Sequence, residues 1–508
     1  MFDEIVERVE TNTTVLKQEF SKLEGERADL TERCEKYAGW TLPYEFPLDQ
    51  LSSNEEFQYD YQSVGAQAVV NLANKLVMAL FPPGRPFFKL QLSPNERTDV
   101  MASTGMNSVE IDASLSKVEQ EVQREFDKSD CRPSAYEIAK LLIITGSCVY
   151  HKESPEEDGV VYNLRDFVLR RDLRGNVVTC IIREKIAVAA LSPEMQELVR
   201  ATKELKEAEE VTLYTGIERV EDDMFVVTQE LEDICHCEKQ VGVYTKEVLP
   251  WHFLYWELPP RKDYGVGLVE AYSGDFHSLS TLAEAGLDFI TILTDLKILV
   301  NPTGSTNIAD INATPSGGAC AGREEDIHVL SHNVAANSSY LENRFNTIER
   351  RIASAFLLNT RVTRDAERVT AEEIRQQAVE LETSLGGVYS RQAQVWQAPL
   401  AKVFLTALDE SLRGMQPTIV TGMDALSRYS ELQRLREFVA DIVGLKDLPE
   451  HVQIALKSDD LIKAFGANHG IDAEQYVRTP EEQERERDKK IEEQRRLNAA
   501  QNPEQGVM

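Results

Sequence analysis

The spacing of apolar residues predicts a helix early in the chain. Over residues 62–81, apolar side chains recur at intervals of three and four, which is the period of one helix face. The residues on that face are Val69, Leu72, Leu76 and Leu80 or Val77. Pro82 and Pro83 should end the helix, because proline cannot continue its hydrogen-bond ladder. The same spacing predicts two further helices at 111–128 and 134–145.

In the middle of the chain the period changes to two, which is typical of strands. The segments FVLRR (167–171) and VVTCIIR (177–183) flank a turn at Arg174-Gly175-Asn176, a strong hairpin signal. Alternation continues over 211–220, 224–231 and 251–258. These segments predict a mixed α/β unit.

Helical spacing returns at about residue 276. An apolar stripe extends to Val300, and a second one includes Phe345, Ile348, Ile352 and Phe356. Between them lies a segment rich in Gly, Pro, Asn and Ser at 301–326. Two helices around one excursion predict a hairpin-like projection with an ordered tip.

The C-terminal third predicts a long helix. Thr370 and Glu373 form a capping box that opens a helical run to about residue 412. Gly386-Gly387 and Pro399 are the expected bend points. More helices are predicted within 425–467, and the charged tail from Pro480 is either an exposed helix or disordered.

Composition indicates a soluble intracellular protein of several domains. The chain has 508 residues, 42% of them hydrophobic, with a formal net charge of −31. Seven cysteines at irregular spacing argue against a disulfide framework. The acidic N-terminus does not resemble a signal peptide, and no apolar run approaches the roughly 20 residues of a transmembrane helix.

Catalytic and metal-binding patterns are weak in this sequence. No Gly-Lys dipeptide occurs, so we expect no Walker A loop. Cys235-His236-Cys237 has metal-ligating residue types, but no second Cys/His pair lies nearby, and an ordinary strand is the preferred interpretation. We predict no enzyme, metal or cofactor. Two alternatives stay open: an enzyme of unrecognised class, and a scaffold that binds membranes through LVMALFPPGRPFFKL at 76–90.

Several longer motifs, in order along the chain, resemble one family. YQSVGAQAVVNLANKLVMALFPPGRPFF, VLRRDLRGNVV, the segment 263–300, GREEDIHVL and ERRIASAFLLNTRVTRDAERVTAEEIRQQAVELETSLGGVYS are similar to portal proteins, the head-to-tail connectors of short-tailed, autographivirus-like podoviruses. The similarity covers about residues 35–425, and RVTAEEIR to LGGVYS is its most specific part.

The resemblance implies a mainly helical α+β portal fold, assembled as a dodecameric ring around a central channel. Its parts would be the wing (1–275), a first stem helix (276–299), the clip (300–333), a second stem helix (334–359), the tunnel loop (360–369), the long wing helix (370–424), and the crown with the charged C-terminal tail (425–508).

The resemblance also implies a function and partners. The ring would occupy the portal vertex of the virion, after assembly in the host cytoplasm, and would nucleate head assembly. Double-stranded DNA would be packaged and ejected through the channel without sequence specificity. The expected protein partners are the terminase large subunit, the tail adaptor and nozzle proteins, and the major capsid, scaffold and internal core proteins, and no membrane is involved.

The cations that we expect near the DNA lie in the tunnel loop: Arg361, Arg364 and Arg368. The alternative is that they cap neighbouring helices or pair with Asp365 and Glu367. Further candidates, for the channel or for salt bridges between subunits, are Arg344, Arg351, Lys297 and Arg323.

Overall fold

The structure is a computed structural model, and the chain divides into two compact units, 1–421 and 422–508. The part that the structure describes lies in the first unit. It comprises 16–48, 56–83, 86–90, 92, 94–105, 108–202, 209–221, 223–231, 235–294, 298–304, 306–315, 318–319, 321–329, 334–358, 383–384, 387–408 and 417–419. The predicted helices at 425–467, the capping box at Thr370 and the charged tail lie outside these residues.

Helices account for most of the described elements. In chain order they are α1 (Leu16–Glu26), α2 (Ala28–Gly39), α3 (Val64–Leu80), α4 (Pro94–Thr104), α5 (Ser108–Lys128), α6 (Cys131–Ile144), α7 (Pro193–Thr202), α8 (Leu268–Ala271), α9 (Ser273–Thr294), α10 (Ile308–Ala313), α11 (Val334–Ala355), α12 (Val388–Gln392) and α13 (Ala398–Leu408). The early helices predicted from apolar spacing are confirmed as α3, α5 and α6.

Twelve strands form four sheets within the described residues. They are β1 (Phe88–Leu90), β2 (Ser147–His151), β3 (Val160–Tyr162), β4 (Phe167–Arg171), β5 (Val177–Ala187), β6 (Glu210–Glu221), β7 (Met224–Leu231), β8 (Cys235–Thr245), β9 (Trp251–Tyr255), β10 (Ile298–Val300), β11 (Ile327–Val329) and β12 (Pro417–Ile419). The largest sheet is an antiparallel meander, β4-β5-β6-β7-β8. Smaller sheets join β3-β2-β9, β1-β12 and β10-β11.

The predicted hairpin at Arg174-Gly175-Asn176 is confirmed. Leu169 pairs with Cys180 across β4 and β5. Gly175 has φ of 85°, a left-handed conformation that glycine adopts without strain. The Asp172 carboxylate accepts hydrogen bonds from the backbone N–H groups of Arg174 (2.8 Å) and Asn176 (2.9 Å). The Asp172 side chain therefore closes the turn.

Helix α3 forms the helical part of the predicted apolar run, and most of its residues are buried. Its predicted face, Val69, Leu72, Leu76 and Leu80, is buried in the main hydrophobic cluster. The aromatic residues after the prolines continue this core: the Phe81 ring lies 5.2 Å from Phe87, 5.2 Å from Phe126 and 5.1 Å from Trp396, between centroids. The segment that suggested a membrane anchor is thus covered by the chain itself. None of the described helices is both long and apolar enough to cross a bilayer.

Two predicted boundaries are wrong. The apolar stripe that predicts a helix to Val300 is divided, because α9 ends at Thr294 and Ile298–Val300 form a strand paired with β11. β-branched and aliphatic residues fit either element, so periodicity alone does not separate them. The strand predicted over 251–258 ends at Tyr255.

Within the described residues, the helical run predicted from 370 is interrupted at Gly387, one of the expected bend points. Gly387, with φ of 87°, precedes α12 as its N-cap, so the helix restarts there. A π-helical segment, Ala393–Gln397, then leads to Pro399 in α13. A wider turn accommodates the carbonyl that a proline ring would otherwise contact.

The cysteines of the described core are free thiols. Cys34, Cys131, Cys148 and Cys180 are all buried. Burial raises the pKa of the Cys34 thiol to about 12, and it raises the pKa of the other three as well. These side chains therefore act as small apolar core residues. Cys235 begins β8, as the strand interpretation predicts.

A buried histidine gives the fold a pH dependence. His252 of β9 is buried beside Tyr150, and its Nε2 atom has no hydrogen-bond partner among the described residues. Burial lowers the pKa of His252 to about 4, with a smaller contribution from His151. Burial lowers the pKa of His151 as well.

We expect His252→Phe to weaken the acid sensitivity of folding. The unfolded chain binds a proton at His252 near pH 6.5, whereas the folded chain does so near pH 4. Stability is therefore present above pH 6.5 and lost as the pH falls toward 4. Between pH 7 and 4.5 the wild type should lose on the order of 2 kcal/mol more than His252→Phe. Urea unfolding followed by fluorescence at both pH values measures this. The control is His277→Phe, an exposed site in α9.

Equal losses of unfolding free energy in wild type and His252→Phe would contradict the assignment.

Candidate functional site

The predicted site residues lie, along the sequence, within or next to the helix pair α9 and α11 and the excursion between the two helices. The two helices pack against one another. Leu279 of α9 and Ile348 and Ile352 of α11 are buried, as the two apolar stripes predict, and Phe276 of α9 is buried beside them. The Phe276 ring contacts the Phe356 ring in an edge-on arrangement at 5.6 Å.

The stripe on α9 is covered along only part of its length. Positions 276, 279, 283, 287 and 290 recur at intervals of three and four and share one helix face. Phe276 and Leu279 are fully buried at the start of this face, but Leu287 is 52% exposed and Ile290 is 58% exposed further along. Two large aliphatic side chains on the continuation of a buried stripe form an apolar surface that the described residues do not cover.

The excursion is closed at its base by a two-stranded ladder. Ile298 pairs with Val329, and Val300 pairs with Ile327, in antiparallel register. The short helix α10 follows, with the Asn307 side chain accepting a hydrogen bond from the Ala309 N–H at 3.0 Å as an N-cap. This ladder and helix agree with the predicted ordered tip.

A buried polar pair holds the excursion together. The Thr306 hydroxyl donates to the Asp326 carboxylate at 3.0 Å, and both side chains are buried. The Arg323 N–H donates to the Thr306 hydroxyl at 3.0 Å, and the Asn301 N–H donates to the Asp326 carbonyl at 2.9 Å. Gly304 allows this approach, because a Cβ atom there would lie 2.3 Å from Asp326 Cγ. The pair joins both ends of the excursion.

Sequence reasoning did not single out Thr306 or Asp326. Asp326 is the third of three consecutive acidic residues, and the other two, Glu324 and Glu325, are exposed. Such a run reads as a solvated acidic surface. The structure shows why glycines flank this pair: a Cβ atom at Gly304 would meet Asp326, and one at Gly322 would meet Thr306.

The predicted cations occupy different settings. Arg351 donates to the Asp275 carboxylate at 2.9 Å, which links α11 to α9 within one chain. Arg344 and Arg323 are exposed. Lys297, Arg361, Arg364 and Arg368 lie outside the described residues, so the structure does not place them. Their proximity to DNA stays a prediction.

The described residues show no other obvious chemistry. Among them, no three His, Cys, Asp or Glu side chains are grouped so that they could hold a metal ion. A polar cleft of about 740 Å³ lies between α1, α2 and the segment 259–266. Its charges are largely paired: Arg170 contacts Glu26 and Asp263, and Arg33 lies 3.8 Å from Glu270.

Comparison with known proteins identifies the family. The family model described as "Bacteriophage head to tail connecting protein" matches residues 13–477. The portal protein of Escherichia phage T7 is 31% identical over 481 residues, which is 92% of this chain and 89% of that protein. The portal protein of Enterobacteria phage SP6 is 31% identical over 453 residues, 88% of this chain and 86% of that protein. That of Pseudomonas phage phiKMV is 29% identical over 482 residues, 92% of this chain and 93% of that protein.

The chain therefore belongs to the bacteriophage head-to-tail connecting protein family, which confirms the resemblance predicted from its motifs. A solved structure, the neck of an empty GTA particle, aligns with 81% of this chain and 90% of that chain at 10% identity. Its TM-score of 0.37 is too low to support an argument about the fold.

We expect Thr306→Val to loosen the excursion. Valine keeps the shape of threonine but cannot donate to Asp326 or accept from the Arg323 N–H. Loss of these bonds at a buried site should destabilise the excursion locally by about 1–3 kcal/mol. Hydrogen exchange of the Asn301 and Arg323 amides, followed by mass spectrometry, should be faster. Thr281→Val, at an exposed position of α9 outside the excursion, is the matched control. Unchanged exchange in Thr306→Val would contradict this role.

Proposed function

We infer that this chain is the portal vertex protein of a tailed bacteriophage, a subunit of the channel that double-stranded DNA enters during packaging and leaves at infection. Family membership over residues 13–477 carries the inference, together with portal proteins about 30% identical over roughly nine-tenths of the chain. The match extends through the α9–α11 pair and its excursion, so the region described above is part of the shared protein.

The half-covered stripe on α9 supports assembly into a ring. A closed ring of identical subunits uses a head-to-tail interface, in which two different surfaces of each copy meet. Leu287 and Ile290 provide an apolar surface beside the helix pair that would be buried by a neighbouring copy. The family resemblance implies twelve subunits. In this assignment α9 and α11 lie in the stem, 300–333 forms the clip, and the five-stranded sheet lies in the wing.

The charge of the chain suits a channel that lets DNA slide. Tight neutralisation of phosphates releases counterions and produces strong, salt-dependent binding, which would hold the duplex in place. A formal net charge of −31 works against such binding. The exposed charges of the helix pair have both signs, including Glu284, Asp288 and Arg344. A few cations on an acidic wall would centre the duplex through phosphate contacts, which carry no base specificity.

Arg361, Arg364 and Arg368 are the cations that we assign to the channel wall, in the tunnel loop that follows α11. The remaining candidates serve the channel or contacts between subunits. Arg344 and Arg323 are exposed and available for either role, whereas Arg351 already pairs with Asp275 of its own chain. The ring would nucleate head assembly with capsid, scaffold and core proteins, dock the terminase large subunit during packaging, and bind tail adaptor and nozzle proteins afterwards.

The membrane-scaffold alternative loses the feature that suggested it. The apolar residues of 76–90 contribute to the chain's own core, with Leu76, Val77 and Phe88 fully buried. Exposing them to lipid would require opening that core. A portal subunit needs no such change.

Replacing Leu287 and Ile290 together by aspartate should prevent ring assembly. Burial of each side chain at an interface contributes about 1.5–3 kcal/mol, so the double change should weaken association by more than about a hundredfold. Negative-stain microscopy and light scattering should show subunits in place of annular particles. The subunit should fold normally, because both side chains are exposed within it.

The matched control for this change is Leu173→Asp. Leu173 is 88% exposed in the β4–β5 turn, and its replacement should leave the rings intact. Rings formed by the Leu287 and Ile290 double variant at wild-type concentrations would overturn the interface assignment.

Changing Arg361, Arg364 and Arg368 together to serine should leave ring assembly intact and impair DNA packaging or genome retention. The physical reason is the loss of phosphate-facing cations from the channel wall. Counting filled particles and measuring genome release from them tests the prediction.

A charge-matched control separates this effect from net charge. Arg124, Arg174 and Arg261 are exposed on other elements, and their joint change to serine removes the same three charges. The control should package normally. Normal packaging and retention by the Arg361, Arg364 and Arg368 variant would reject its channel role.

A further inference from the structure

The C-terminal end of α11 has an unusual backbone. After Ala355, Phe356 still donates its N–H to the Ile352 carbonyl at 2.9 Å, but Leu357 turns to φ of 55°. A left-handed conformation is uncommon for a bulky residue. The Leu358 N–H then donates back to the Ala353 carbonyl at 2.7 Å. This turn ends the helix and leaves the carbonyls of Phe356 and Leu357 without partners inside it.

Two polar side chains of α3 satisfy those carbonyls. The Asn71 side-chain amide donates to the Phe356 carbonyl at 3.2 Å and to the Leu357 carbonyl at 3.0 Å. The Lys75 ammonium donates to the Leu357 carbonyl at 2.7 Å. Asn71 is 8% exposed and Lys75 is 4% exposed. Asn71 and Lys75 are one helical turn apart, so they reach the same helix end.

The electrostatics of this contact favour a cation. The C-terminus of a helix carries partial negative charge on its free carbonyls, and a positive side chain there is stabilising. A buried ammonium needs such partners, because burial of an unpaired charge is strongly unfavourable. An aliphatic residue would fill the volume of Lys75 without any directional bond. The hydrogen bonds therefore specify where Leu357 sits, beyond filling space.

The end of α11 is also held from a second side. The Phe356 ring lies 6.0 Å from Tyr272 and 5.6 Å from Phe276 of α9, between centroids. We call the contact of Asn71 and Lys75 with the carbonyls of Phe356 and Leu357 the α3–α11 joint. Through it, α3 of the main core holds Phe356 and Leu357, next to the last described residue of this segment.

We propose that Asn71 and Lys75 are positioning residues for the DNA channel: they orient the chain as it leaves α11 toward the arginines at 361–368. This proposal rests on the proposed function, in which those arginines face the DNA. Leu358 is only three residues before Arg361 in the sequence, so chain connectivity is what links the helix end to the arginines in this proposal. Neither Asn71 nor Lys75 contacts DNA in this proposal.

The first measurement is hydrogen exchange at the helix end in assembled rings. Lys75→Met keeps the aliphatic volume and removes the donor, and Asn71→Ala removes the amide. Each should make the amides of residues 356–358 exchange about ten- to a hundredfold faster, as expected for loss of a strong buried hydrogen bond. Should Lys75→Met fail to assemble, Lys75→Gln keeps a neutral donor and serves as the milder variant.

Exposed residues of the same two amino-acid types serve as controls. Asn74 is exposed on α3, three residues from Asn71, and Lys128 is exposed at the end of α5. Asn74→Ala and Lys128→Met remove the same chemical groups away from the joint. Both should leave exchange at 356–358 and genome retention at wild-type values.

The second measurement is genome packaging and retention in particles with intact rings. Lys75→Met should reduce the yield of filled particles several-fold, in the same direction as the Arg361, Arg364 and Arg368 serine variant. Faster exchange with normal packaging, while the arginine variant is defective, would overturn the positioning role and leave the proposed function standing. Unchanged exchange in both joint variants would overturn the joint itself. Normal packaging by the arginine variant would reject the proposed channel role instead.

Discussion

The constraint on which this structure depends is that the carbonyl groups at buried helix ends must find donors. Helix α3 ends inside the core, and three side chains from distant parts of the chain supply the missing hydrogen bonds. The Tyr389 hydroxyl donates to the Ala79 carbonyl at 3.0 Å, Arg132 donates to the Phe81 carbonyl at 2.7 Å, and the Gln397 side chain donates to the Leu80 carbonyl. In the same way, Asn71 and Lys75 of α3 donate hydrogen bonds to the carbonyls after the end of α11. One helix thus links the N-terminal, middle and C-terminal parts of the described chain.

These hydrogen bonds explain why the apolar helix α3 contains buried polar residues. They also explain the buried polar residues in the segments that pack against it. Tyr389 and Gln397 belong to α12 and the π-helical segment, and both are buried. Gln392, in the same stretch, donates to the Tyr255 carbonyl at 2.7 Å at the end of β9. Apolar packing around Phe81 excludes water from the region, which strengthens each of these bonds and penalises the loss of any partner. The core and its polar contacts are therefore mutually dependent.

Local patterns predicted the elements whose causes are local. The β4–β5 hairpin follows from alternation and a glycine turn, and α3 follows from its apolar spacing and the prolines after it. The predicted end of the helix at Val300 was wrong, because Ile298–Val300 become a strand only by pairing with Ile327–Val329. Asn71 and Lys75 were passed over for a related reason: their partners lie more than 280 residues away. The candidate arginines at 361, 364 and 368 rest on family resemblance, and their placement stays a prediction.

The two ends of the helix pair differ in what covers their apolar side chains. At the end nearest α3, Phe276, Ile352 and Phe356 are buried by the chain's own core, and the α3–α11 joint fixes their orientation. Further along α9, Leu287 and Ile290 are exposed and the described residues do not cover them. A neighbouring copy can pack against them only if the helices are already held at a defined angle, because apolar contact is non-directional and does not select one orientation. In the proposed ring, the α3–α11 joint would supply that direction, and Leu287 and Ile290 would supply the apolar surface for association. The proposed assembly therefore needs both features: a polar contact that orients the helices and an exposed apolar surface that a neighbouring copy can bury.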